Sequence, residues 1–406
     1  MKFVDINIET KKIYCLLTSF SFACFANIQC INRILSAYMS RDNEEGGMLS
    51  LLYLIILAVI LITTILSRQF SFRSIDKASL FIMAFTYIFY VTSSVYIGEP
   101  AVPFLQFVVF TLSALIVPSI ARIDTKIFLK SVMLTSALGI SVANRIFIFV
   151  ADWHEYISMG VTYSFMLPIV ATVIYFSLYF KDENKAWKVI MLVLGGINFY
   201  YFFLMFTMGS RGPSVVIMST LIMLYCINLK ETGGINLRKK QTAFLLISFI
   251  LALFFFLPLL QFLHNIFLSM GISSNVIDKF LRLALANDAT NGRDYVYEFA
   301  IDGILNSPIW GNGFDRFEAN TGMAYPHNSI LQLLYDGGVI LFGLVLIPFF
   351  KKLTRISNYC LKNEYALIMT FFCSGFVGSM FSGDLWKTPL FWALIGIVLS
   401  FKKCEI

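Results

Sequence analysis

The chain is a succession of apolar windows, each long enough to cross a bilayer, and that repetition leaves few folds open to it. A spanning helix takes roughly 20 apolar residues. About twelve such windows follow one another, at 13–31, 48–67, 79–97, 101–120, 127–150, 162–180, 187–208, 212–229, 242–263, 328–350, 364–382 and 385–401. Backbone amides in hydrocarbon have no water to bond, so isolated spans of this length satisfy them as helices. The expected fold class is therefore an all-α polytopic membrane protein. A composition of 58% hydrophobic and 14% charged residues excludes an ordinary soluble domain. Pro100 and Pro103 stop the helices on either side of a tight turn at 98–103.

Orientation follows from the cations, because short cytoplasmic loops collect Lys and Arg. Lys2, Lys11 and Lys12 precede the first window; Arg68, Arg73 and Lys77 follow the second; Arg122, Lys126 and Lys130 follow the fourth. Lys181, Lys185 and Lys188, then Lys230, Arg238, Lys239 and Lys240, fall on the same side. Lys351, Lys352, Arg355 and Lys362, and finally Lys402 and Lys403, bring that face to 22 of the 31 cations. Both termini are thus expected in the cytoplasm, and the net charge of +7 reflects topology and not nucleic-acid binding. Residues 1–263 carry helices one to nine, 264–327 form one large external loop with short amphipathic helices, and 328–406 carry helices ten to twelve. The first window is read as a retained span, since it lacks a small-residue cleavage site. Seven cysteines form no spaced set and suggest no metal.

The polar stretch from Arg293 to Gly343 stands out in so apolar a chain, and the function is sought there. External cations run against the topological rule and need another reason to exist. They are Arg33, Arg41, Arg145, Arg211, Lys279, Arg282, Arg293, Arg316 and Lys387. Arg211 sits in GlySerArgGlyPro, where a new helix start adds free amide donors and glycines admit a ligand to the backbone. An arginine there grips an anion bidentately, or anchors to lipid headgroups. Arg293 follows AsnAspAlaThrAsnGly and opens an amphipathic helix whose apolar positions are Val296, Phe299, Ala300 and Ile304; Thr290 or Asn291 would cap it. SerProIleTrpGlyAsnGlyPhe is a turn-rich loop able to close over a site.

His327 and Asn328 then stand at the boundary of the tenth window. A neutral imidazole accepts a hydroxyl proton and returns it, as transfer onto an alcohol requires. Asp336, beside Gly337 and Gly338, either assists the histidine, balances an arginine or caps a kink. Asn144 and Arg145 could line the same cavity. Glu298, Asp302 and Asp315 are alternative bases. Asp152, His154 and Glu155 have metal-capable side chains, but consecutive loop residues of this kind are usually solvated.

The order of ArgGly after a middle span, GlyArg opening a large loop, SerPro…GlyAsnGly, and HisAsnSer…Gly…Gly at the next span resembles the O-antigen polymerase and O-antigen ligase superfamily of bacterial envelopes. The resemblance in motifs covers about 205–220 and 290–343; in topology it covers nearly the whole chain. It implies a GT-C-like, metal-independent, inverting glycosyltransferase without cofactor in the bacterial inner membrane, its active site facing the periplasm. The donor implied is an undecaprenyl-diphosphate-linked oligosaccharide, with membrane lipid, a chain-length regulator and a flippase as partners. Carried over, Arg211 and Arg293 bind the diphosphate and His327 activates the acceptor, with Asn328, Arg145, Arg282, Arg316 and Asp336 as further substrate-binding residues. The HisAsnSer form resembles the polymerases, which join a glycan to a second lipid-linked unit; a ligase would join it to the lipid A core. A transporter or flippase is the alternative from another class, and it would call for ionisable groups within the spans.

Overall fold

In this computed structural model residues 8–39, 45–66, 76–121, 123–143, 163–208, 211–231, 260–272, 274–286, 293–356, 362–381 and 383–401 are described, and all of their regular structure is helical. In chain order the main helices are α1 (Ile8–Ala26), α2 (Ile28–Met39), α3 (Glu45–Leu66), α4 (Lys77–Tyr96), α5 (Phe104–Ile120), α6 (Thr125–Ala137), α7 (Met166–Leu178), α8 (Lys185–Met208) and α9 (Arg211–Glu231). They continue with α10 (260–269), α11 (Asn275–Ala286), α12 (Asp294–Asn306), α13 (Phe317–Thr321), α14 (Ser329–Ile356), α15 (Lys362–Phe371) and α16 (Pro389–Ser400). Local signals set several starts. Asp76 accepts from the Ala78 amide at 2.8 Å to cap α4, and Asp124 accepts from Ile127 at 2.9 Å to cap α6.

The apolar windows divide into two physical kinds. Among the described residues, Lys77–Tyr96, Thr125–Val142, Lys185–Thr207 and Ser329–Ile356 are long and apolar enough to cross a membrane. The window at 13–31 is instead a pair, α1 and α2, bent by 72° at its break. The window at 385–401 is corrected further: a short 3-10 turn, Leu385–Lys387, precedes α16, and Pro389 through Leu399 are buried on every side. Such a helix is apolar because protein surrounds it. Twelve full spans were therefore more than the described helices supply, since apolar composition marks interior helices as well as lipid-facing ones. Most of the window at 242–263 lies outside the described residues.

The two ends of the bundle differ chemically. At one end Glu183 takes Lys130 at 2.7 Å and Lys126 at 2.9 Å, Lys352 donates to the Leu399 carbonyl and lies 3.6 Å from Asp76, and Thr125 and Tyr179 both bond Asn363. Burial works against the Glu183 charge, but the two lysines and the Tyr175 hydroxyl hold its carboxyl down to about 2. The opposite end carries the turn at 98–103, helices α12 and α13, the start of α14 and the segment 379–387.

Helix α14 is broken at Gly338, where φ 60° and ψ −161° leave the helical region. The loop after α12 repairs the break. Val339 and Ile340 donate to the Pro308 and Ile309 carbonyls at 2.9 and 3.4 Å, while Asn312 and Gly313 donate to the Tyr335 and Asp336 carbonyls at 2.8 and 3.0 Å. A Cβ on Gly338 would overlap the Ile309 carbonyl, and one on Gly311 the Asp336 carbonyl. The SerProIleTrpGlyAsnGly and GlyGly motifs are thus two halves of one backbone junction. The loop is pinned to the helix and is not a flap free to close.

Candidate functional site

Four chain segments converge around Phe381. Arg293 caps the start of α12 by position, without a side-chain capping bond. Its Nη1 donates to the Phe381 carbonyl at 2.7 Å, which ties α12 to the segment after α15. On the other side of Phe381 lies the start of α9: a Cβ on Gly212 would come within 3.2 Å of the Phe381 Cβ and would overlap the Tyr163 hydroxyl. Gly212 and Arg293 therefore meet at one residue, which sequence reasoning did not single out. The α9 helix begins at Arg211 as expected.

His327 lies within reach of the Arg293 charge. It is half-buried, its ring centroid is 4.4 Å from that of Tyr325, and Nδ1 is enclosed with no hydrogen-bond partner. Burial pushes its pKa down, the Arg293 charge pushes it further, and together they bring it to about 4. The imidazole is accordingly neutral near pH 7. Its φ of 54° is a left-handed conformation uncommon outside glycine. Strain of this kind, on the order of 1–3 kcal/mol, persists where surrounding structure imposes it and is frequent at working sites.

Other sequence candidates fall elsewhere. Asn328 accepts from the Ile330 and Leu331 amides at 2.9 and 3.2 Å; its carboxamide oxygen is the N-cap of α14. Asp336 is wholly buried, and its Oδ2 accepts from Trp386 Nε1 at 2.7 Å. Arg316 donates to the Glu99 carbonyl at 2.8 Å and clasps the turn at 98–103, so it is occupied structurally. Arg282 is exposed on α11, with nothing that brings it to His327. Arg145, Asn144, Asp152, His154, Glu155, Thr290 and Asn291 lie outside the described residues. Phe299 of α12 is exposed, while Val296, Ala300 and Ile304 pack toward Phe317 and Tyr335.

A buried acidic group sits behind this site. Asp315 accepts from the Val102 amide at 2.6 Å, and Asp384 accepts from Gln332 at 2.8 Å and pairs with Lys387 at 3.2 Å. Burial, then the Asp384 and Asp336 carboxylates, raise the Asp315 pKa far above the usual carboxylate range. Asp315 thus already holds its proton near neutral pH and does not take another there, whereas Glu298 and Asp302 are exposed on α12. Only Lys387 of the 381–387 segment had been noticed in the sequence, as an external cation. The turn SerGlyAspLeuTrpLys between two apolar windows was the signal available.

Residues 196–346 match the O-antigen ligase family. That segment contains Arg211, Arg293 and His327. The chain is also similar to proteins described as candidate polysaccharide ligases from three rickettsial species. With that of Rickettsia prowazekii it shares 23% identity over 244 residues, 55% of this chain and 58% of the relative. With that of Rickettsia conorii it shares 23% over 295 residues, 66% of each, and with that of Rickettsia typhi 28% over 121 residues, 26% of this chain and 29% of the relative. The chain thus spans less than two thirds of the length of each of these relatives. No solved structure matches it.

Proposed function

We propose that the chain is a membrane-embedded glycosyltransferase of the O-antigen polymerase or ligase kind, which takes a glycan from undecaprenyl diphosphate at the periplasmic face. The observation that carries this reading is a neutral, strained histidine within reach of the Arg293 charge, with Arg293 holding the Phe381 carbonyl beside Gly212. In the transfer, an acceptor hydroxyl oxygen attacks the anomeric carbon, the bond from that carbon to the phosphate oxygen breaks, and the lipid diphosphate leaves with the electron pair. Arg293 and Arg211 stabilise the charge that develops on the leaving group. The hydroxyl proton goes to His327.

An imidazole held near 4 is a weak base, and the geometry supplies a remedy. Arg293 is one of the two causes of the depression. A diphosphate beside Arg293 offsets that charge and raises the imidazole, while burial, the larger cause, keeps it below the ordinary histidine value. Donor binding and base activation are then one event. Nδ1 has no hydrogen-bond partner, so no neighbour fixes which ring nitrogen carries the proton.

Two acceptors fit. A second lipid-linked unit makes the protein a polymerase, in keeping with the HisAsnSer form. A lipid A core makes it a ligase, in keeping with the descriptions of the matched family and relatives. The test is the lipopolysaccharide pattern of cells lacking the gene, complemented with wild type, His327→Ala or Arg293→Ala. Core bearing a single repeat unit marks loss of a polymerase; bare core with accumulated lipid-linked polymer marks loss of a ligase. An unchanged ladder, or full rescue by both variants, overturns the reading.

A further inference from the structure

The junction at Gly338 fixes how deep the preceding loop lies. Ser329–Ile356 is long and apolar enough to span, and Lys351, Lys352 and Arg355 mark its far boundary, where Lys352 is held by Asp76 and the Leu399 carbonyl. Twelve residues separate Val339 from Lys351, about 18 Å at ~1.5 Å per residue. With a hydrocarbon core of about 30 Å, Val339 lies about 12 Å beneath the opposite boundary. A tilt of ~20° changes that by about 1 Å. Since Val339 and Ile340 bond the Pro308 and Ile309 carbonyls directly, the loop tip lies at the same depth.

The outward side of that tip is mainly apolar, with Asn306 the one exposed polar residue among 305–310. Leu305 is 70% exposed, Ile309 55% and Trp310 70%, beside Val339 at 53%. Val339 is one turn-spaced member of the outward strip on α14 that includes Ile347 and Phe350. The tip therefore continues a surface that a spanning helix presents to lipid. Its backbone meets the condition for non-helical chain at this depth, because its amides and carbonyls bond to the broken helix.

The geometry points to a re-entrant hairpin: the segment from Leu305 to Gly313 enters the bilayer and presents Leu305, Ile309 and Trp310 to acyl chains. This rests on the membrane placement of the proposed function. It makes part of the polar stretch a lipid-contacting surface, with Trp310 far below the interface where an aromatic anchor would sit.

The test uses the full chain in phosphatidylcholine vesicles whose acyl chains are brominated either near the headgroup or near the middle of the chain. The Trp310 contribution is the fluorescence of wild type less that of Trp310→Phe. It is expected to be quenched at least as strongly by the deep bromines as by the shallow ones, and to resist aqueous iodide. An Ile309→Trp, Trp310→Phe double variant is expected to restore the deep-quenched signal, which guards against a fold defect in the single variant. Quenching of the Trp310 contribution by iodide and not by bromolipid overturns the hairpin, as does quenching by neither, which would mean that a second copy or another protein covers it. In both cases Trp187, exposed on the spanning α8, still responds to bromolipid. If no tryptophan responds, the membrane placement itself is overturned together with the hairpin.

Discussion

Replacing Gly338 by alanine isolates the junction on which the architecture of the site end depends. Its φ of 60° and ψ of −161° belong to a region open essentially to glycine alone, and forcing another residue there costs about 1–3 kcal/mol. The new Cβ also overlaps the Ile309 carbonyl, so relief requires the loop to move. Movement breaks the bonds from Val339 and Ile340 to Pro308 and Ile309, worth about 1 kcal/mol each in net terms. The expected loss is about 3 kcal/mol or more, roughly a hundredfold in the folded-to-unfolded ratio.

Gly343 in the same helix is the control. A Cβ there meets only the Ile347 Cδ1 at 3.4 Å, and alanine in a helix interior gains about 0.5–1 kcal/mol over glycine. The assay is unfolding of the two purified variants in mixed micelles by increasing denaturing detergent, followed by tryptophan fluorescence, with limited proteolysis across 307–313 as the local readout. Gly338→Ala is expected to unfold early and to be cut in the loop; Gly343→Ala is expected to match or exceed wild type. Equal midpoints for the two variants would refute the junction as a structural requirement.

The kcat/KM of transfer, which reports the free protein, is expected to lack an acid limb near pH 6.5, because unliganded His327 stays neutral down to about 4; Arg293→Gln removes a depressing charge and moves that limb upward, as a kcat/KM profile on residual activity would read. The same lowered value means that stability held above the unfolded histidine value is lost as pH falls from about 6.5 toward 4, and His327→Gln removes that slope from the unfolding midpoints. Asn328→Ala should cost about 1 kcal/mol as a lost helix cap without altering the KM for the lipid-linked donor; a raised KM with unchanged stability would restore it to the substrate site. Trp386→Phe leaves the buried Asp336 carboxyl without its indole donor and should destabilise by about 1–3 kcal/mol, measured by the same detergent unfolding.

How far the site was legible in the sequence differs residue by residue. Arg293 and His327 were identifiable because their residue types carry chemistry by themselves, and topology left each in need of a reason. Phe381 was not, because it contributes a backbone carbonyl, a group that every residue has. The cap that Asn328 makes and the indole that Asp336 bonds were not legible for a related reason: a polar side chain looks the same in sequence whether it meets substrate, caps a helix or serves a buried indole. Trp386 and Asp384 showed only as parts of a short polar turn.

The sequence by itself determined that the chain is helical and apolar enough to span, where its cations cluster, and which few residues could transfer a proton or hold an anion. Hydropathy, charge and side-chain chemistry are local properties, so they can be read along a line. Only the tertiary structure decided that Pro389–Ser400 is an interior helix, that 307–313 and 337–340 complete each other's backbone, and that Gly212 and Arg293 meet at Phe381. Those are pairings between residues far apart in the chain, and burial, hydrogen-bond partners and depth are settled by what lies opposite.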